Sequence, residues 1–109
     1  MRTLRFIVSG QIIKRDPTCD FENLVPGSEG YLQAEFLFSS DWDGCVKVAG
    51  FGSQMGTEYP PQVLKDGQTC IIPAEATSRR YFTVYVVGKN EDLKLTTNKI
   101  FVSQDGGKV

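Results

Sequence analysis

Asp41 and Asp43 bracket Trp42 and are followed by Gly44. Two carboxylates at that spacing could serve as the acid and nucleophile of a glycosidase, or as the opening of a calcium loop of the Asp-x-Asp-Gly kind. The residues that follow, Cys45-Val46-Lys47-Val48, alternate like a strand instead of continuing as ligands, so both aspartates are expected to form a turn at a strand end. The chain contains no histidine, which removes the serine-histidine and cysteine-histidine constellations and the commonest general base. Cys19, Cys45 and Cys70 stand 26 and 25 residues apart, an odd number without a Cys-x-x-Cys pair. Neither a complete disulfide framework nor a zinc site can be written from them. Cys45 and Cys70 fall in strand-like runs and are expected to be small buried apolar residues, whereas Cys19 lies in a loop as a candidate reactive thiol. Gly50-x-Gly52 and Gly106-Gly107 lack the strand-to-helix setting of a phosphate cradle. No catalytic residue, cofactor or metal is expected, and the chain is read as not an enzyme.

The remaining candidates are contact residues. Tyr59 followed by Pro60-Pro61 offers rigid apolar groups on a loop, with Met55 just before it; such groups bind with little loss of conformational freedom. Arg79-Arg80 beside Tyr81 can stack on a partner or guard a sheet edge against aggregation. Met55, Tyr59, Pro60, Pro61, Arg79, Arg80 and Tyr81 together form the expected interface, alongside an exposed strand edge that can accept a neighbour's strand. Trp42, the single tryptophan, is amphipathic and lies between turn residues, so it is expected to plug one end of the core. A carbohydrate platform built from Trp42, Tyr59 or Tyr81 is an alternative.

These residues need a scaffold. The chain has 109 residues, 12 basic and 13 acidic, with a formal net charge of -1. A chain of that length buries roughly two-thirds of its unfolded surface, enough for one core, so residues 1–109 are expected to be a single domain. Near-neutral charge lacks the basic stripe that releases counterions from phosphates, so nucleic acid is not an expected partner. The first apolar run stops at Ser9-Gly10, too short for a signal peptide or a membrane span, and synthesis in a reducing cytoplasm is expected.

No window of about 11 residues carries helical periodicity without an interrupting glycine or proline. Period-2 alternation fills the chain instead. Strands are expected over 3–8, 11–14, 31–38, 45–51, 63–64, 69–72, 81–87, 93–97 and 100–102, with one helical turn at 74–78, an exposed loop or edge at 52–61 and a polar tail at 103–109. The strands at 31–38 and 45–51 look like a hairpin, and Asp66-Gly67 favours a tight hairpin turn. The fold class is therefore all-β: a small antiparallel β-sandwich, immunoglobulin-like or jelly-roll-like, of seven to nine short strands.

Three ordered motifs between about residues 31 and 103 carry a resemblance. Trp42-Asp43-Gly44 follows an aromatic strand, Cys70-x-Ile72-Pro73-x-Glu75 follows the Asp66-Gly67 turn, and Val84-x-Val86-x-Gly88 precedes Thr97-Asn98. The chain resembles the N-terminal β-sandwich domain of tailed-phage baseplate upper proteins and related tail or head-fibre proteins. That resemblance implies a non-enzymatic virion structural or assembly protein, made in the host bacterial cytoplasm, located in the virion, and partnered by other virion proteins and by itself. It implies Trp42, Cys70 and Pro73 as scaffold. A phage-encoded inhibitor of a host defence protein is the alternative, and a carbohydrate-binding module the second. Neither nucleic acid nor membrane is an expected partner.

Overall fold

The structure, a computed structural model, describes residues 1–104. In chain order the strands are β1 (Arg2–Ser9), β2 (Ile12–Arg15), β3 (Leu32–Phe38), β4 (Val46–Gly52), β5 (Gln62–Val63), β6 (Thr69–Ile71), β7 (Tyr81–Lys89), β8 (Lys94–Thr96) and β9 (Ile100–Ser103), with one turn of helix, α1 (Ala74–Thr77). They form two sheets. The first has the order β2-β1-β3-β6; the second runs β5-β4-β7, and β8 and β9 share the far side of β7. This is the expected small all-β sandwich.

Alternation decides what fills the space between the sheets, because successive side chains of a strand face opposite ways. From the first sheet Leu4, Phe6, Val8, Leu32, Ala34 and Phe36 point inward; from the second come Ala49, Phe51, Phe82, Val84, Val86 and Val102. Phe6 and Phe36 stack with centroids 5.3 Å apart. Trp42 closes one end, fully buried, its Nε1–H donating to the Gly10 carbonyl at 2.8 Å. The plug reading therefore holds, and the indole is closed to a glycan. Gly88 has no side chain because the indole lies against it: a Cβ there would come within 2.6 Å of the ring.

The pairing departs from expectation in four places. First, β3 is not in a hairpin with β4. It pairs parallel with β1, from Arg2↔Leu32 to Val8↔Phe38, and antiparallel with β6, while β4 belongs to the other sheet. The 3-10 turn Ser40–Trp42 drops the indole into the gap and carries the chain across, so the apolar faces of β3 and β4 meet across the core instead of lying side by side. Second, β1–β3 makes the sheet mixed, not purely antiparallel. A parallel pair needs a crossover of about a dozen residues or more, and segment 16–31 supplies it while burying Leu24. Third, Asp66-Gly67 does turn the chain through positive φ, 49° and 75°. It nevertheless joins β5 in one sheet to β6 in the other, with only the single bridge Lys65↔Thr69 beside it. Fourth, the polar tail begins later than 103. Ser103 ends β9 and Gln104 is fully buried; the rest of the tail lies outside the described residues.

Among the described residues no helix is long and apolar enough to cross a membrane.

Candidate functional site

The end of the second sheet opposite Trp42 carries a concavity. β4 ends at Gly52 where β7 is beginning, paired Gly52↔Thr83. The loop from 53 to 59 must therefore return over the start of β7. Ser53 organises it: its Oγ accepts the backbone N–H groups of Met55 at 3.2 Å and Thr57 at 3.0 Å, and its own N–H donates to the Thr57 carbonyl at 2.7 Å. Gly52 lets that carbonyl approach, since a Cβ would lie 2.8 Å from it. Met55 is left at the tip, 89% exposed. Tyr59 returns to the sheet through an N–H···O bond to Phe51 at 2.8 Å and packs its ring against the core.

The facing wall is the corner after α1. Pro73 starts α1, and one turn later Ser78 and Arg79 donate backward to the Ala74 and Ala76 carbonyls. Gln104 then clamps the corner from inside. Its amide nitrogen donates to the Thr77 carbonyl at 2.9 Å and the Arg79 carbonyl at 2.8 Å, and its backbone N–H reaches the Arg80 carbonyl at 2.6 Å. The Gln104 Oε1 is buried with no partner among the described residues, so the side chain is held by its donors alone. Arg79, Arg80 and Tyr81 all face solvent, and the Arg80 guanidinium lies 5.9 Å from the Tyr81 ring centroid, within cation–π reach.

Between the walls is an open hollow of about 320 Å³, lined by Met55, Tyr59, Arg79, Arg80 and Tyr81, with Ser53, Gln54 and Thr57 supplying hydroxyl and amide groups. Five of the seven expected interface residues thus meet, although some twenty residues separate the two segments. Pro60 and Pro61 do not join them. They are exposed on the way into β5 and do not line the hollow. Gln104 and Ser53, which hold the two walls, were missed by sequence reasoning. A glutamine beyond the last apolar strand residue carries no local signal of burial.

The other candidates serve the fold. Asp41 accepts from the Ser39 hydroxyl at 3.1 Å, and the Asp43 N–H closes the 3-10 turn onto the Ser40 carbonyl. Both are turn residues, and among the described residues no three acidic or cysteine side chains gather as metal ligands. All three cysteines are free. Cys45 and Cys70 are buried as expected, and burial pushes the Cys70 thiol up to about 12. The half-buried Cys19 Sγ accepts the Arg5 N–H at 3.3 Å.

The edges of β2, β5 and β6 offer little to a partner strand. On the outer edge of β2 the Asn98 amide takes both polar groups of Ile13, accepting its N–H at 2.8 Å and donating to its carbonyl at 3.4 Å. β5 and β6 span only two and three residues. Short or covered edges resist strand addition.

No protein-family model matches the chain, and neither a curated protein nor a solved structure does.

Proposed function

We propose that this chain is a non-enzymatic structural and assembly domain of a tailed-phage virion, docking on other virion subunits through the hollow between the 53–59 loop and the Arg79–Tyr81 corner. The observation that carries the docking part is the convergence of exposed Met55, Arg79, Arg80 and Tyr81 with half-buried Tyr59 around one hollow. Arginine, tyrosine and methionine are enriched at protein interfaces, and arginine and tyrosine dominate their binding energy. The Ser53 and Gln104 hydrogen bonds hold both walls before any partner arrives, which lowers the ordering cost of association. The virion assignment rests on the resemblance carried by the Trp42, Cys70 and Val84 motifs. In this reading shape and side-chain complementarity do the work; among the described residues the hollow brings together no nucleophile with an adjacent base. At β2, β5 and β6 the covered or short strand edges make this surface a better anchor than strand addition.

A hollow of this size anchors a contact, and a stable interface needs about 800 Å² per partner, so flanking surface must contribute. The test is mass spectrometry of virions purified from the infected host, combined with a photo-crosslinker introduced at Met55. The expected result is the chain present at a fixed copy number and cross-linked to an identified structural subunit. Purified particles lacking the chain overturn the assignment, and their absence together with a cross-link to a host defence protein would favour the inhibitor reading instead.

A further inference from the structure

The chain has five arginines, and three are committed to its own fold. Arg2 donates to the Asp20, Glu22 and Asn23 carbonyls, Arg5 pairs with Glu35 at 2.8 Å, and Arg15 donates to the Phe101 carbonyl at 2.7 Å. Arg79 and Arg80 differ. Among the described residues their guanidinium groups meet no carboxylate and no carbonyl, and no acidic residue lines the hollow beside them. Two adjacent like charges repel, and among the described residues only the Tyr81 ring, 5.9 Å from the Arg80 guanidinium, faces either of them with negative potential. Their backbone, by contrast, is held through both carbonyls by Gln104. An ordered corner carrying two cations with no carboxylate partner among the described residues is complementary to anions.

Resting on the docking reading above, we infer that the hollow seats an acidic peptide segment of the partner, its carboxylates on Arg79 and Arg80 and its apolar flank on Met55 and Tyr81. The guanidinium fork matches a carboxylate through two parallel N–H···O bonds, a geometry lysine cannot supply. Apolar contacts sit directly beside the cations, as a mixed acidic and aromatic segment requires. The Ser53 hydroxyl accepts from two amides and still has its own proton to donate. A nucleic-acid strand fits poorly: it needs a run of cations along its length, whereas this site has two in a chain of net charge -1.

The experiment is an NMR titration of the ¹⁵N-labelled protein with a capped Asp-Tyr-Asp-Glu peptide, alongside its Asn-Tyr-Asn-Gln analogue. The acidic peptide is expected to shift amides within 53–59 and 79–81, saturably and less at high salt. The amide analogue, and the Arg79→Ala/Arg80→Ala double variant, should bind at least about tenfold more weakly. Arg79→Lys/Arg80→Lys keeps the charge and loses the fork, and should fall between. Both substitutions are at exposed side chains, and an unchanged spectrum elsewhere confirms the fold. Equal affinity for the two peptides, or no shift at millimolar acidic peptide, overturns the inference. If that happens while Met55 still cross-links to a virion subunit, only the acidic-segment inference falls. Particles lacking the chain overturn the virion assignment whatever the peptides do.

Discussion

Trp42→Ala removes the largest fully buried side chain of the protein. The indole fills the space between the 39–45 crossing and β7, its centroid 5.1 Å from the Phe38 ring and its edge against Gly88. Neither wall can collapse easily, because Gly88 is fixed in the β7–β4 ladder and Phe38 in the β3–β1 ladder. A residual cavity is therefore expected, and truncation of a buried aromatic in such a place costs about 3–5 kcal/mol. The Gly10 carbonyl also loses its donor at 2.8 Å. Since domains of this size are stable by about 5–15 kcal/mol, the loss is a large share of the total and shifts the unfolding midpoint clearly. Trp42→Phe separates the two contributions: it keeps most of the ring and loses chiefly the hydrogen bond, at about 1–3 kcal/mol. Urea unfolding followed by far-ultraviolet circular dichroism measures both, since the substitution removes the only tryptophan fluorophore. A Trp42→Ala midpoint equal to that of the wild type, with an unchanged slope, would refute the plug and return the indole to the surface.

Three further outcomes are expected. Gln104→Ala should cost about 1–3 kcal/mol through the freed Thr77 and Arg79 carbonyls, and it should speed amide exchange at the 78–81 corner; unchanged exchange there would remove Gln104 as the clamp. The Thr18 N–H at 2.9 Å, then the Thr18 hydroxyl, and more weakly Arg5, hold the Asp16 carboxyl below its ordinary 3.8. A depressed carboxylate stabilises the fold above its unfolded value and loses that contribution as pH falls through its folded value. Asp16→Asn should therefore be less stable than wild type near neutrality, with the gap closing in acid; a gap that stays constant down to strongly acidic pH would contradict the assignment. Cys70, its thiol pushed up to about 12 by burial, should resist maleimide in the native protein at mildly alkaline pH and react on unfolding, whereas native labelling at the unfolded rate would show that the strand opens.

Local order was legible wherever a single strand or turn decided it. The alternation from Leu32 to Phe38 marks an inward face of Leu32, Ala34, Phe36 and Phe38; the first three are buried and Phe38 is half-buried against the core. Ser9-Gly10 turns β1 into β2 with Gly10 at φ 56°, a conformation glycine accepts without strain. The strand partners were not legible. The short link from Phe38 to Cys45 suits a hairpin by length, and nothing local reveals that Trp42 has to reach the Gly10 carbonyl. The candidate site was legible by residue type, in the unusual Arg79-Arg80-Tyr81 and Met55 with Tyr59, but the hollow they line and the hydrogen bonds that hold its walls were not. Pro60 and Pro61 matched the same compositional signal and lie outside it.

By itself, the amino-acid order determined which residues extend, which faces are apolar, where the chain turns, and that its cysteines have no framework to join. Those properties follow from side-chain chemistry acting on a residue's own backbone and nearest neighbours. Only the tertiary structure decided that β3 joins β1 in parallel, that Gln104 is interior, and that two arginines stand beside Met55. A period of two tells a side chain which face it occupies and is silent about which strand lies next to it. That neighbour is chosen by burial and hydrogen bonding between distant segments, which compete across the whole chain.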